Sequence, residues 1–344
     1  MPLLANNTPE AAHFADFHVH HVAYKTVDGQ PVETSILVPR DAAPGPRPTI
    51  VRWHGGGLVT GARLYTPWFA PWVLAYARQH SAVIVAPDYR LMPESGGAAV
   101  LADVRDFWFW FHTTLGSWLP PRAAVDIDLT RVLLMGESAG AWHVVYSLAR
   151  SIAPEALRAA VLTFPMLDLK DAHFSEKARP EDAAMLGVPF LGEELVDEFE
   201  AAAKSDPRRV VTNVAPPERL DLMIAVFQNG RFAQWLERGD DWSPEAKVQG
   251  PEARRLYPFE LLEDASNAGA RLPPMLIAHG EQDSIVPAAG SRKFVEAWRR
   301  LQGEDGSKCE LVLQPGEHGF DGQVDYEEEW LQNELKWITE AWLS

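Results

Sequence analysis

The sequence predicts an α/β fold, in which helices flank a mostly parallel sheet of about eight strands. Two observations carry this prediction. Short β-branched or apolar runs alternate with helical patterns along the 344 residues, and the last six of these runs are apolar almost throughout. Runs of that kind are typical of parallel strands buried on both faces, with helices packed above and below.

The first two strands are expected to form an antiparallel pair, because the turn signal Asp28-Gly29 separates them. We predict that the strands begin at Phe17, Glu33, Thr49, Ala82, Arg131, Ala159, Pro274 and Cys309. Helices are predicted over residues 67–80, 100–115, 139–151, 289–301 and 326–343. Cys309, the single cysteine, belongs to the last apolar run and is expected in the core.

The alternation of strands and helices is interrupted once, after the sixth strand. About 105 residues precede the seventh strand, far more than a normal connection needs. Residues 166–272 are therefore predicted to be an inserted, mainly helical cap, and residues 1–165 and 273–344 to form the core. Within the insertion, helical patterns cover residues 193–204, 220–227 and 232–237.

Composition narrows the choice of partner and compartment. A formal net charge of −17 argues against binding to nucleic acid or to an anionic membrane. The N-terminus lacks the basic and apolar regions of a signal peptide, and no stretch is apolar enough to span a bilayer. We therefore expect a cytoplasmic protein that acts on a small molecule, whereas the sequence does not indicate an oligomeric state.

Residues 136–140 read Gly-Glu-Ser-Ala-Gly, a Gly-x-Ser-x-Gly pattern centred on Ser138. An apolar strand precedes the pattern and a helical pattern follows it, which is the context that presents a nucleophilic serine on a sharp turn. Small flanking residues suit so tight a turn. The following helix would place its N-terminus, which favours negative charge, beside the reacting group.

A nucleophilic serine needs a base, and the base needs an acid that orients it. Among the 11 histidines, only His318 lies beyond the seventh strand, in a loop between the last strand and the closing helix. The loop after the seventh strand offers two acids, Glu281 and Asp283. Asp283 lies farther into the loop and is the preferred candidate, so the predicted triad is Ser138, Asp283 and His318.

The sequence His-Gly-Gly-Gly at residues 54–57 directly follows the third strand. Consecutive glycines let the backbone approach a substrate and turn its N–H groups inward. Acyl transfer develops negative charge on an oxygen, which preorganised N–H donors stabilise. Gly56, Gly57 and Ala139 are the predicted oxyanion donors, and His54 is expected to brace the loop.

Together these motifs resemble the hormone-sensitive-lipase-like esterases of the α/β-hydrolase fold. The shared features are HGGG at 54–57, PDYRLMPE from Pro87, GESAG at 136–140, and then Asp283 and His318 in that order. The resemblance covers the chain from about Thr49 onward. It implies catalysis without a metal or an organic cofactor. It also implies that the region of Arg90 and Glu94 supports the oxyanion loop.

The chain departs from the family pattern in three places. The helical N-terminal cap of many members is missing or minimal, so the insertion is expected to form most of the lid. Glu137 replaces an aspartate. Ala141 stands where a third glycine is common and is followed by Trp142, which either narrows the pocket or, as we favour, packs the helix against the sheet.

Several aromatic residues are candidates for substrate contact, although core packing would explain each of them as well. The candidates are Trp68, Trp142, Phe190, Phe227 and Phe320. The histidines near the N-terminus are not expected to bind a metal, because a strand places His20 and His21 on opposite faces. No other metal-ligand spacing is present in the sequence.

The sequence therefore predicts a cofactor-independent serine hydrolase that cleaves carboxylic esters of small to medium apolar substrates through an acyl-enzyme. One alternative uses the same triad for lactone opening, for cleavage of an N-formyl amide or for acyl transfer. A second alternative is a catalytically silent receptor, as known from a gibberellin receptor that resembles this family. The complete set Ser138, Asp283 and His318 argues against that role.

Overall fold

The structure, a computed structural model, describes residues 12–150, 152, 157–239, 241–303 and 307–344. An eight-stranded sheet with the order β1-β2-β4-β3-β5-β6-β7-β8 runs through it. The first two strands are antiparallel to each other, β2 is antiparallel to β4, and all the remaining neighbours are parallel. The predicted fold class is confirmed.

The strands are β1 (Phe17–Val27), β2 (Gln30–Pro39), β3 (Gly45–Trp53), β4 (Val83–Pro87), β5 (Val125–Glu137), β6 (Leu157–Thr163), β7 (Met275–Gly280) and β8 (Cys309–Gln314). Four of them, β2, β3, β5 and β6, begin earlier than predicted. The difference is largest for β3 and β5, because Gly45 to Arg47 pair with Val125 to Ile127 before a bulge. The sequence signal is weak there because polar residues interrupt the apolar pattern.

The helices of nine residues or more in the described ranges are α1 (Pro71–Gln79), α2 (Gly97–Trp110), α3 (Gly140–Ala149), α4 (Glu194–Ser205), α5 (Leu220–Gln228), α6 (Pro258–Asn267), α7 (Ala289–Gln302) and α8 (Glu329–Leu343). A π-helical segment, Phe111–Leu115, continues α2. Helix α6 was not predicted, although its buried residues, Leu261, Leu262 and Ala265, have helical spacing.

Helices cover both faces of the sheet, and β5 shows why it is apolar throughout. Val132 and Leu134 join the cluster that contains residues of α2, α3, α6 and α7. Leu133 and Met135 point to the other face and join residues of α1 and α8. Because successive side chains of a strand alternate between faces, a strand buried on both sides cannot show the polar alternation of an exposed strand.

The segment between β6 and β7 contains α4, α5, α6 and three shorter helices, Ala172–Ser175, Phe232–Leu236 and Gly250–Arg254. Helix α5 is buried from Leu222 to Gln228. An isolated bridge joins Gly61 to Val214, and the Thr60 hydroxyl donates to the Val214 carbonyl over 2.9 Å. This segment thus contacts the loop after β3, while its division from the core at residues 166 and 272 stays a prediction.

Trp142, one of the candidates for substrate contact, does not face a substrate cavity. It lies on α3 with 1% of its surface exposed, and its indole Nε1 donates a hydrogen bond over 2.8 Å to the carbonyl of Leu256, just before α6. The structure thus corrects the candidate pocket role. The side chain packs, as we favoured, although its hydrogen bond joins α3 to the segment before α6 rather than to the sheet. The physical reason is that the indole fills the interface where the insertion returns to the core.

Other expectations concern single residues and the membrane. Cys309 is buried as predicted, and burial raises the pKa of its thiol. Among the described residues, no three His, Cys, Asp or Glu side chains are grouped so that they could hold a metal ion. None of the described helices combines the length and the apolar character needed to cross a bilayer.

We expect Trp142→Ala to lower the free energy of unfolding by about 3–5 kcal/mol, because it removes a buried ring and leaves a cavity. Urea denaturation would measure the change. The matched control is Phe109→Ala, an aromatic truncation at a side chain that is 72% exposed, which should cost less than about 0.5 kcal/mol. Equal effects of the two substitutions would contradict the packing role of Trp142.

Candidate active site

Ser138 lies on the turn between β5 and α3 with a φ angle of 51°, a conformation that non-glycine residues rarely adopt. Its backbone N–H donates to the carbonyl of Thr163 over 2.9 Å, which ties the turn to the end of β6. The turn leaves no room for a side chain at either of its two glycines. A Cβ atom on Gly140 would lie 2.1 Å from the Trp53 carbonyl oxygen, and one on Gly136 would lie 2.7 Å from the Gly140 oxygen.

The structure brings the three predicted triad residues together. The Nε2 atom of His318 lies 3.0 Å from the Ser138 hydroxyl oxygen, and its Nδ1 atom lies 2.8 Å from Oδ2 of Asp283. The side chains come from loops after β5, β7 and β8, 180 and 35 residues apart along the chain. Glu281, the other acid considered, is exposed.

Asp283 is buried but held in its charged form. Burial by itself would raise the pKa of this carboxyl, but hydrogen bonds from His279 and His318 outweigh that effect, so its pKa lies well below the usual range. The backbone N–H groups of Ile285 and Val286 donate to Oδ1 over 3.0 and 2.7 Å. The carboxylate is thus available as an acceptor for His318.

His279, a residue that sequence reasoning missed, also contacts Asp283. Its Nε2 atom lies 2.8 Å from the Val286 carbonyl oxygen and 3.2 Å from Oδ2 of Asp283. Both neighbours are acceptors, so this nitrogen carries the proton, while Nδ1, 2.8 Å away, can accept from the Ser291 hydroxyl. The only sequence signal was a polar residue at the end of the apolar strand β7.

The glycine loop after β3 lies beside Ser138. Gly56 and Gly57 have φ angles of 109° and 60°, which glycine adopts without strain. In the described part of the chain, no acceptor receives a hydrogen bond from the N–H groups of Gly56, Gly57 or Ala139. These three N–H groups, the predicted oxyanion donors, therefore have no acceptor among the described residues, and their binding of a substrate oxygen stays a prediction.

Three contacts fix the backbone around His54 at the start of this loop. The His54 Nδ1 atom lies 2.8 Å from the Gly55 carbonyl oxygen, and its ring stacks on Tyr89 at a centroid distance of 4.3 Å. The Tyr89 hydroxyl donates to the His54 carbonyl over 2.8 Å. Tyr89 belongs to the PDYRLMPE segment, so this segment supports the glycine loop as the resemblance implies.

The charged residues of the same segment pair farther from the loop. The Arg90 guanidinium donates to Asp103 of α2 over 2.7 Å. Glu94 accepts a bond of 2.7 Å from Arg219, which immediately precedes α5. The second pair thus links the core segment to the insertion.

Glu137, the residue before Ser138, is also part of this arrangement. Both of its carboxylate oxygens lie 2.6 Å from a guanidinium nitrogen of Arg52, and Oε1 accepts from the backbone N–H of Gly55 over 3.3 Å. Arg52 also donates to the carbonyl of Trp68 over 2.9 Å. A buried, fully paired ion pair therefore joins β3, the glycine loop and the serine turn.

A cavity of about 270 Å³ opens at Ser138 and His318. Its lining also includes Gly55, Gly56, Pro67, Trp68, Glu137, Phe164, Leu186, Leu220, Met223, Gly319, Asp321 and Gly322. Trp68 is the only one of the five predicted substrate-contact residues on that wall. The insertion contributes the aliphatic side chains Leu186, Leu220 and Met223.

Phe190, Phe227 and Phe320 do not line this cavity, which corrects their candidate roles. Phe227 is fully buried behind the wall and packs on Phe174 and Phe232. Phe320 contacts Phe164, which lines the cavity and lies 4.6 Å from the His318 ring. Aromatic character alone could not distinguish a wall residue from one packed a layer behind it.

Comparison with known proteins gives the same picture. A model of the family described as "alpha/beta hydrolase fold" matches residues 50–223, and one described as "Prolyl oligopeptidase family" matches residues 210–343. The protein named "Probable carboxylesterase M8" from Phoma sp. is 30% identical over 97% of this chain and 99% of its own length. "Probable carboxylesterase clz11" from Cochliobolus lunatus is 29% identical over 62% of this chain and 92% of its own length.

Among solved structures, esterase 2 of Thermogutta terrifontis superposes with a TM-score of 0.55 at 21% identity and covers 95% of both chains. That likeness concerns the fold alone, whereas the Phoma relative extends over nearly the whole sequence at higher identity. Considered with the fold and the family-model match, these findings identify the chain as a member of the α/β-hydrolase esterases, a serine hydrolase of carboxylic esters.

Proposed function

We propose that Ser138, His318 and Asp283 are the catalytic triad of this esterase. The observation that carries the proposal is the continuous chain of contacts from the Ser138 hydroxyl through both nitrogens of His318 to Asp283. In this arrangement His318 takes the proton of Ser138 as the hydroxyl oxygen attacks the ester carbonyl. Asp283 holds the ring with Nδ1 protonated, so that Nε2 can act as the base.

The reaction then passes through two tetrahedral intermediates. In the first, the N–H groups of Gly56, Gly57 and Ala139 donate to the carbonyl oxygen as it becomes negative. His318 returns the proton to the leaving alcohol, and an acyl group remains on Ser138. In the second, His318 takes a proton from water, the hydroxide attacks the acyl-enzyme, and the acid leaves as Ser138 regains its proton.

The cavity favours small to medium esters with an apolar part. A volume of about 270 Å³ is at the lower end of the range for small-molecule sites. Phe164, Leu186, Leu220 and Met223 provide an apolar wall.

Lactone, N-formyl amide and acyl-transfer chemistry use the same residues, and relative rates on ester, amide and lactone panels would distinguish them. The cytoplasmic location predicted from the sequence stays a prediction.

We expect Ser138→Ala to lower kcat/KM for p-nitrophenyl butyrate by roughly 10⁴–10⁶-fold, because the nucleophile is removed. The thermal midpoint should not fall, since alanine fits the same turn. Ser117→Ala, at an exposed position, is the matched control and should retain full activity. A Ser138→Ala enzyme that still turns over would contradict the role of Ser138. A wild type that an organophosphate does not label at Ser138 would contradict the proposal and favour a receptor.

The two acids of the loop after β7 provide a matched pair of variants. We expect Asp283→Asn to lower kcat/KM by roughly 10³–10⁴-fold, because the amide favours the wrong tautomer of the imidazole. Glu281→Gln should change kcat/KM by less than about twofold, since surface substitutions away from the site have small effects. If the two variants lost activity to the same extent, Asp283 would not be the orienting acid.

The depressed pKa of Asp283 also predicts how stability depends on pH. Because the folded-state pKa lies below the unfolded value, the charged group stabilises the fold above about pH 4, and this contribution is lost as pH falls through the folded-state pKa. The difference in free energy of unfolding between wild type and Asp283→Asn should be full at neutral pH and shrink on acidification below about pH 4. Urea titrations at several pH values would measure it, and a constant difference would argue against a charged Asp283.

A further inference from the structure

Asp321 is a buried acidic residue that lines the active-site cavity and that the proposed mechanism does not use. It lies three positions after His318 in the short 3-10 turn Phe320–Gln323 and is 6% exposed. It lines the same cavity as Ser138. The indole Nε1 of Trp72, on α1, donates to its Oδ2 atom over 3.0 Å. No other residue in the described part of the chain donates a hydrogen bond to this carboxyl.

Among the described residues, no Lys, Arg or His forms an ion pair with Asp321. Arg52 and Glu137 line a small cleft together with Asp321, but the Arg52 guanidinium is bound to Glu137 at 2.6 Å. His318, the nearest histidine along the chain, already contacts Asp283 and Ser138. Burial raises the pKa of Asp321 to about 7, the Trp72 bond and Arg52 oppose that rise, and the charge of Glu137 adds to it. Near neutral pH a large fraction of this group is therefore an uncharged carboxylic acid.

An uncharged carboxylic acid offers one O–H donor and a carbonyl acceptor. The wall of the same cavity includes Pro67, Trp68, Gly319 and Gly322, none of which has a charged side chain. An apolar ligand would remove water from this carboxyl group without replacing the hydrogen bonds to water, and burying an unsatisfied polar group costs free energy. A ligand with a hydroxyl group at this point would both accept from and donate to Asp321.

We propose that Asp321 is a specificity-determining residue whose carboxyl group binds a hydroxyl group of the substrate, carried on either the acyl or the alcohol part of the ester. This inference rests on the proposed function, because the hydroxyl must be presented while the ester carbonyl lies at Ser138. Substrates are thus expected to be hydroxylated esters rather than purely hydrocarbon ones. The apolar wall of Leu186, Leu220 and Met223 binds the hydrocarbon part of the same molecule.

Two pairs of esters that differ by one hydroxyl group test the proposal. Ethyl butanoate and ethyl 3-hydroxybutanoate test the acyl part, and propyl butanoate and 3-hydroxypropyl butanoate test the alcohol part. We expect wild type to prefer the hydroxylated member of at least one pair by about tenfold in kcat/KM, since sites built to hydrogen-bond a hydroxyl discriminate strongly against its absence. Equal rates within both pairs would overturn the proposal.

Three variants separate recognition from a merely structural role. Asp321→Leu should reduce the preference ratio by about tenfold, while Asp321→Asn, which keeps a donor and an acceptor, should retain the ratio within about twofold. Trp72→Phe removes the donor to Asp321 but keeps an aromatic ring, and it should also retain the ratio. If Asp321 only anchored the loop of His318 to α1, Asp321→Leu and Trp72→Phe would lower both rates together and leave the ratio unchanged.

An amine probe tests the class of ligand. If ethyl 3-aminobutanoate were preferred to its hydroxy analogue in an Asp321-dependent way, the site would bind a cation and the proposal would be wrong. The same measurements also test the catalytic triad, and failure of the triad can be distinguished from failure of the role of Asp321. A wild type that hydrolyses none of these esters, or a Ser138→Ala variant that hydrolyses them, contradicts the proposed function, whereas equal rates within each pair contradict only the role of Asp321.

Discussion

The geometry of the site depends on the turn between β5 and α3. Ser138 has a positive φ angle of 51° there, and the turn is so tight that a Cβ on Gly140 would lie 2.1 Å from the Trp53 carbonyl. Backbone strain of this kind persists only where the surroundings determine it strongly. At Ser138, two contacts hold the turn. The Ser138 N–H donates to the Thr163 carbonyl at the end of β6, and the neighbouring Glu137 is paired with Arg52 of β3.

Parallel strands bring the other groups to this turn, because their carboxyl ends meet at one edge of the sheet. Asp283 follows β7 and His318 follows β8, and the glycine loop follows β3. The charged groups at this edge are paired by other residues of the protein. Two histidines and two backbone N–H groups surround Asp283. Arg52 pairs with Glu137, so Asp283 and Glu137 are two buried carboxylates held by fixed partners in a chain that is strongly acidic overall.

The insertion between β6 and β7 completes the cavity instead of forming a separate unit. Leu220 and Met223 of α5 line the cavity, and a Cβ on Gly57 would lie 2.7 Å from the Met223 side chain. The loop that presents the free N–H groups is therefore held between the core and the insertion. Asp321 differs from the other buried acids because its only hydrogen-bonding neighbour among the described residues is the uncharged indole of Trp72. This difference is why we assign it to recognition rather than to stability.

Sequence by itself was sufficient for the class of fold, for the number of strands in the described sheet and for predicting that Ser138, Asp283 and His318 lie together. The spacing of apolar residues indicates which faces of a strand or helix are buried, and the order of strands along the chain indicates which loop follows which strand. Both signals can be read from the sequence without knowing how distant segments pack. Tertiary structure decided what periodicity cannot encode. Phe227 proved to be packed behind the cavity wall, Trp142 proved to bond to the segment before α6, and His279 proved to contact Asp283. An apolar or titratable side chain reaches a cavity only if no distant segment of the chain covers it, and α6 covers Trp142. Which segment covers which side chain is decided only when the whole chain has folded.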